Sequence, residues 1–146
     1  MHFVSFLTVC VVSMATVFVS VNPDHSDAAI RQLKDATRYQ RSGQHLLNLS
    51  ALRNLRDEDL RPFFLQIVEH PEWTVQVHAV LGLAELSEEE VIDPWLVQQV
   101  APSAREHLIP QALDDGLFKK EQIKELLSWP LLEAAPKLLL LADIHS

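Results

Sequence analysis

His78 and Glu85 are the two residues in this 146-residue sequence best spaced to act together. Two helical turns apart on one face, the carboxylate could orient the imidazole for general acid–base work. Thr74 and Gly82 fall on the same stripe, because all four recur near the 3.6-residue period. Proton transfer alone is not a reaction, and a nucleophile or a metal must complete it. No serine sits between glycines at nucleophile-elbow spacing, and three isolated glycines cannot build a phosphate-cradling loop. The single cysteine, Cys10, offers no Cys/His zinc set and no disulfide. The acids of Glu88-Glu89-Glu90 and Asp114-Asp115 read as helix-start and turn residues. The expectation is therefore no catalytic residue, no metal and no cofactor, with Thr74, His78 and Glu85 lining a partner-binding groove. The alternative is a small enzyme or ligand-binding subunit that uses the groove around His78 and Glu85.

A second constellation is basic. Arg31, Lys34, Arg38 and Arg41 recur at intervals of three, four and three, which places them along one helix face. They read as a solvated outer face, or alternatively as a contact for anionic lipid headgroups. Charge is uneven along the chain. Asp24 to Arg61 holds seven basic and six acidic residues, and Pro62 to Ser146 holds five basic and fourteen acidic. The net charge of −8 argues against general nucleic-acid binding.

The elements that must position these residues are helices. Few glycines, few aromatics and many leucines favour helix over sheet. Thr74 to Leu86 is apolar on nearly every side, so it needs cover from several directions. Ahead of it, Leu60, Phe63, Phe64, Ile67 and Val68 repeat at i, i+3, i+4, i+7 and i+8, the clearest amphipathic pattern in the chain. Pro62 falls in the first turn of that helix, and His70-Pro71 ends it. Further upstream, a helix to about Gln40 buries Ala29, Ile30, Leu33, Ala36 and Thr37. Leu46, Leu47, Leu49, Leu52 and Leu55 drive the next. Downstream, Ser87 to Glu90 has the form of a capping box, and Asp93-Pro94 restarts or kinks the segment. Ile92, Trp95, Leu96 and Val100 supply its apolar side. Ala104, His107, Leu108 and Ala112 continue at helical spacing, with Pro110 expected to kink or shorten that helix. A helix from about Lys119 to Ser128 follows. Leu131 to Ala142 makes a last one, interrupted by Pro136.

The succession is helix, turn, helix, four times over. An offset of 31 lays Leu46, Leu52 and Leu55 on Val77, Leu83 and Leu86, and Pro71, Pro102 and Pro130 precede successive second helices. A period near 30 with two helices per unit is the mark of stacked repeats. Leu60 to Leu86 resembles a HEAT repeat: LRPFFLQIVEH is similar to its first helix and PEWTVQVHAVLGLAEL to its second. Glu72 stands where that family has Asp in the turn, and Gln76 where it has Arg, so the Asp–Arg ladder joining neighbouring repeats is expected to be absent here. One HEAT-repeat enzyme type, the di-iron deoxyhypusine hydroxylase, uses His-Glu pairs; this chain has only the reverse order, at Glu69-His70 and Glu106-His107. The resemblance implies a scaffold that binds another protein, with no reaction.

The expected architecture is all-α: residues 23–146 as a short, right-handed, HEAT-like α-solenoid of about four antiparallel helix pairs, preceded by an apolar leader over residues 1–22. That leader, uncharged from Phe3 to Val21, reads as a cleaved secretory signal or as an uncleaved anchor; a start codon placed too early is the third reading. The first makes the protein exported, periplasmic or secreted; the second tethers it to a membrane. At the other end, Leu138 to Ala142 has almost no polar side, which points to self-association, to another protein or to a membrane. A truncated end of a longer repeat protein would show the same bare helix.

Overall fold

The computed structural model describes residues 23–37 and 43–145, with side chains described from residue 27. The leader, together with Arg38 and Arg41, lies outside the described residues. Among the described residues the chain is all-helical, with eight α-helices and no strand. They are α1 (Pro23–Ala36), α2 (Gln44–Asn54), α3 (Arg61–Ile67), α4 (Trp73–Glu85), α5 (Pro94–Gln99), α6 (Pro102–Asp114), α7 (Lys120–Ser128) and α8 (Ala134–Ile144). Helix α4 packs on α2, α3 and α6; α6 packs on α4 and α8. Helix α1 leans on α2, and α7 touches both α8 and α5. The even-numbered helices thus form a row in which each meets the next.

Local chemistry explains where helices start and stop. A 3₁₀ turn at Glu58–Leu60 leads into α3, with the Asp57 carboxylate accepting from the Asp59 N–H at 3.0 Å. Asp93 does the same for α5, accepting from the Trp95 N–H at 2.8 Å. Pro94 and Pro102 each open a helix, where a missing N–H costs nothing. Gly116, at φ 68°, takes the left-handed conformation just past α6.

The core runs through the whole described body, and α4 lies at its centre: Val75, Val77, Ala79, Val80, Leu81, Leu83 and Ala84 are all buried. From α3 come Phe64, fully buried, and the half-buried Phe63 and Ile67; Leu60 and Val68 flank them and are buried. Gly82 does not belong to the polar stripe that its spacing suggests. It is buried, and a Cβ built there would stand 2.8 Å from the Phe64 ring. Glycine is needed here for the close approach of α3 to α4.

Several other sequence expectations change. Ser87 to Glu90 is a turn and not a capping box: the Ser87 hydroxyl donates to the Ala84 carbonyl at 2.7 Å and accepts from the Val91 N–H at 3.1 Å. The following helix starts only at Pro94, because Glu90 stands at a left-handed φ of 50° that no continuing helix adopts, and proline suits a first turn. Helix α6 runs on through Pro110 to thirteen residues, so it is not shortened. Pro136 does not interrupt α8 but sits buried in its first turn, where no N–H is required. Ala29, Leu47, Leu55 and Trp95 are exposed, contrary to the faces assigned to them. Leu131 and Leu132 lie in the turn before α8.

Candidate functional site

Arg53, on α2, decides what His78 and Glu85 can do. Its guanidinium grips both Glu85 oxygens, through Nε at 3.0 Å and through Nη2. Its Nη1 donates to His78 Nδ1 at 3.3 Å, which leaves the proton of a neutral ring on Nε2. Burial, and then the Arg53 charge, push the His78 pKa down to about 4, with the Glu85 carboxylate pulling the other way. The histidine is neutral at pH 7, and the carboxylate faces a guanidinium instead of the imidazole. The two residues come together as expected, but as a tie between α2 and α4. Thr74 is engaged one turn away: its hydroxyl donates to the Glu72 carboxylate.

Glu72 belongs to a second set of contacts that the sequence reading missed. Three of the even-numbered helices carry a buried polar side chain in the first turn: His45 in α2, Gln76 in α4 and Arg105 in α6. Each reaches the N-cap residue of the next even-numbered helix. His45 Nε2 lies 3.1 Å from both oxygens of Glu72, the N-cap of α4. Gln76 Oε1 accepts from the N–H of Ala101, the N-cap of α6, at 2.9 Å. Arg105 Nε donates to Glu133, the N-cap of α8, at 2.9 Å, and Nη2 donates to the same carboxylate.

Two of these rungs also reach backward. Gln76 Nε2 donates to the His70 carbonyl at 2.8 Å, and Arg105 Nη1 donates to the Val100 carbonyl. His45 Nδ1, in the first rung, is buried and has no partner. The Arg105 guanidinium also lies 4.9 Å from the centre of the Trp129 ring, a cation–π distance. Hydrogen bonding from Arg105 holds the Glu133 carboxyl below the usual range, and hydrogen bonding from Thr74, with a smaller share from His45, does the same for Glu72. The Asp–Arg pair is indeed missing at Glu72 and Gln76, yet a polar ladder runs through the row with His, Gln and Arg in the donor and acceptor roles.

An apolar stripe accompanies each rung at i+4 and i+7: Leu49 and Leu52 after His45, Val80 and Leu83 after Gln76, Ile109 and Ala112 after Arg105, all buried. The same register on α8 gives Lys137, Leu141 and Ile144. Lys137 is the fourth residue of its helix, as Gln76 and Arg105 are of theirs. Here the stripe is open at Leu141, while Ile144 is half-buried against the core. Leu141 is 39% exposed, where Leu49, Val80 and Ile109 are fully buried.

Arg31 and Lys34 line an open groove of about 760 Å³ between α1 and α3, with Asp35, Glu69 and His70 on its walls. Lys34 Nζ sits 5.5 Å from the centre of the Phe63 ring. The groove mixes charges of both signs and is not a purely basic surface. Among the described residues no group of His, Cys, Asp and Glu could hold a metal ion, and no helix is long and apolar enough to cross a membrane. No known protein family, curated protein or solved structure matches this chain.

Proposed function

We propose that this chain is a non-catalytic protein-binding scaffold, built as a short HEAT-like α-solenoid of four helix pairs and either exported or tethered by Phe3–Val21. One observation carries the reading. The same polar contact, from a buried side chain to the next N-cap, recurs from α2 to α4, from α4 to α6 and from α6 to α8. Such a contact positions helices and performs no reaction. Stacked repeats of this kind present extended surfaces to partners. The His78–Glu85 pair supports the scaffold over an enzyme, since Arg53 occupies the carboxylate and the free ring nitrogen.

Photocrosslinking combined with native mass spectrometry tests the proposal. A photoreactive residue at Ser103, exposed and at the helical position of Thr74 on the next even-numbered helix, is compared with one at Lys124, exposed on α7. The expected result is a discrete protein adduct from Ser103 in an extract of the source cells, none from Lys124, and a native mass equal to the bare chain. A metal or small molecule retained at one per chain would overturn the scaffold reading, as would equal adducts at both positions.

A further inference from the structure

We infer that the open stripe on α8 is a docking site for an amphipathic helix that carries a carboxylate at its N-terminus. The inference rests on the stacked reading above and follows from the three closed rungs. In each of them a polar side chain at the head of the stripe meets the N-cap of the helix lying on that stripe, and in two of the three that N-cap is a glutamate. Lys137 heads the fourth stripe, and among the described residues its ammonium has no partner. A cation there selects an anionic helix start, which the charge of Lys137 and the dipole of the incoming helix both favour.

The apolar part of the stripe fits the same occupant. Leu141 stands at the spacing that an even-numbered helix covers elsewhere, with Ile144 half-buried beyond it, and Leu138 beside them is 67% exposed. A second copy of this chain stacked head to tail would bring α2 onto α8. The N-cap of α2 is Gly43, which has no side chain to offer Lys137. Charge complementarity therefore favours a different helix over the start of a second copy.

A labelled synthetic peptide of residues 71–87, which presents Glu72 at a helix start, serves as the probe for the full chain in fluorescence anisotropy. We expect saturable binding, weakened about tenfold by Lys137→Glu. A Glu72→Lys peptide should recover that loss on the Lys137→Glu protein. Leu141→Asp should abolish binding while leaving the thermal melt of the protein in place. Absent saturable binding, or binding indifferent to both variants, would overturn the docking site. So would a dimer in sedimentation that Leu141→Asp dissociates while the peptide stays unbound, since the occupant would then be a second copy. The stacked reading fails separately, if Arg105→Leu leaves the melt unchanged; a lowered Arg105→Leu melt with no peptide binding defeats the docking site alone.

Discussion

Helices α4 and α8 are the two most apolar segments of the described body, and they meet opposite fates. α4 is covered by α2, α3 and α6, and only Thr74, His78 and Glu85 with the half-buried Trp73 keep contact with water. α8 touches α6 and α7 and leaves Leu138, Leu139 and Leu141 exposed. Their composition is similar and their neighbours are not. Burial here follows the number of helices packed around a segment and not its apolarity alone.

Matched substitutions break that comparison open. Val80→Asp and Leu141→Asp change the same stripe position in α4 and in α8. A carboxylate in place of the fully buried Val80 should cost more than about 4 kcal/mol, enough to unfold a marginal domain, whereas Leu141→Asp should stay within about 0.5 kcal/mol. Denaturant melts of the two variants decide it, and similar midpoints would show that α4 is less covered than described. Arg105→Leu comes next. It leaves the Val100 carbonyl and the Glu133 carboxylate without their donor, for a loss of about 3 kcal/mol, while Lys137→Leu on the open rung should be nearly neutral. Thermal denaturation of the pair measures the difference.

The smallest effect concerns pH. The His78 pKa is depressed to about 4 in the folded state, so between 6.5 and about 4 the unfolded chain binds the proton and the folded chain does not. Stability is full above pH 6.5 and falls as pH drops through that window, by about 1 kcal/mol once partial exposure is discounted. His78→Gln should flatten this part of the stability-versus-pH curve. An unchanged slope would mean that the ring is more hydrated than its contacts with Arg53 suggest.

Much of the framework was legible in the sequence because burial leaves a period. Leu60, Phe64 and Val68 announced α3, and the segment from Val75 to Leu86, apolar on nearly every side, announced a central helix. The capping box failed for a physical reason: Ser87 and Glu90 have the right identities, but Glu90 takes a left-handed φ of 50°, and the Ser87 hydroxyl is occupied by the Ala84 carbonyl and the Val91 N–H. The ladder was missed because it uses three residue types, and a motif defined by residue identity overlooks it. Its pattern, a polar residue followed by apolar ones at i+4 and i+7, was present at His45, Gln76, Arg105 and Lys137. Arg53 left no such trace, because its partners His78 and Glu85 were themselves spaced to suggest each other.

Every rung joins residues only 25 to 28 positions apart. A ribosome releases that length in a few seconds, and closing so short a loop costs little entropy. Each newly made even-numbered helix can therefore find its seat on the one before it, in order of synthesis, without waiting for the far end of the chain.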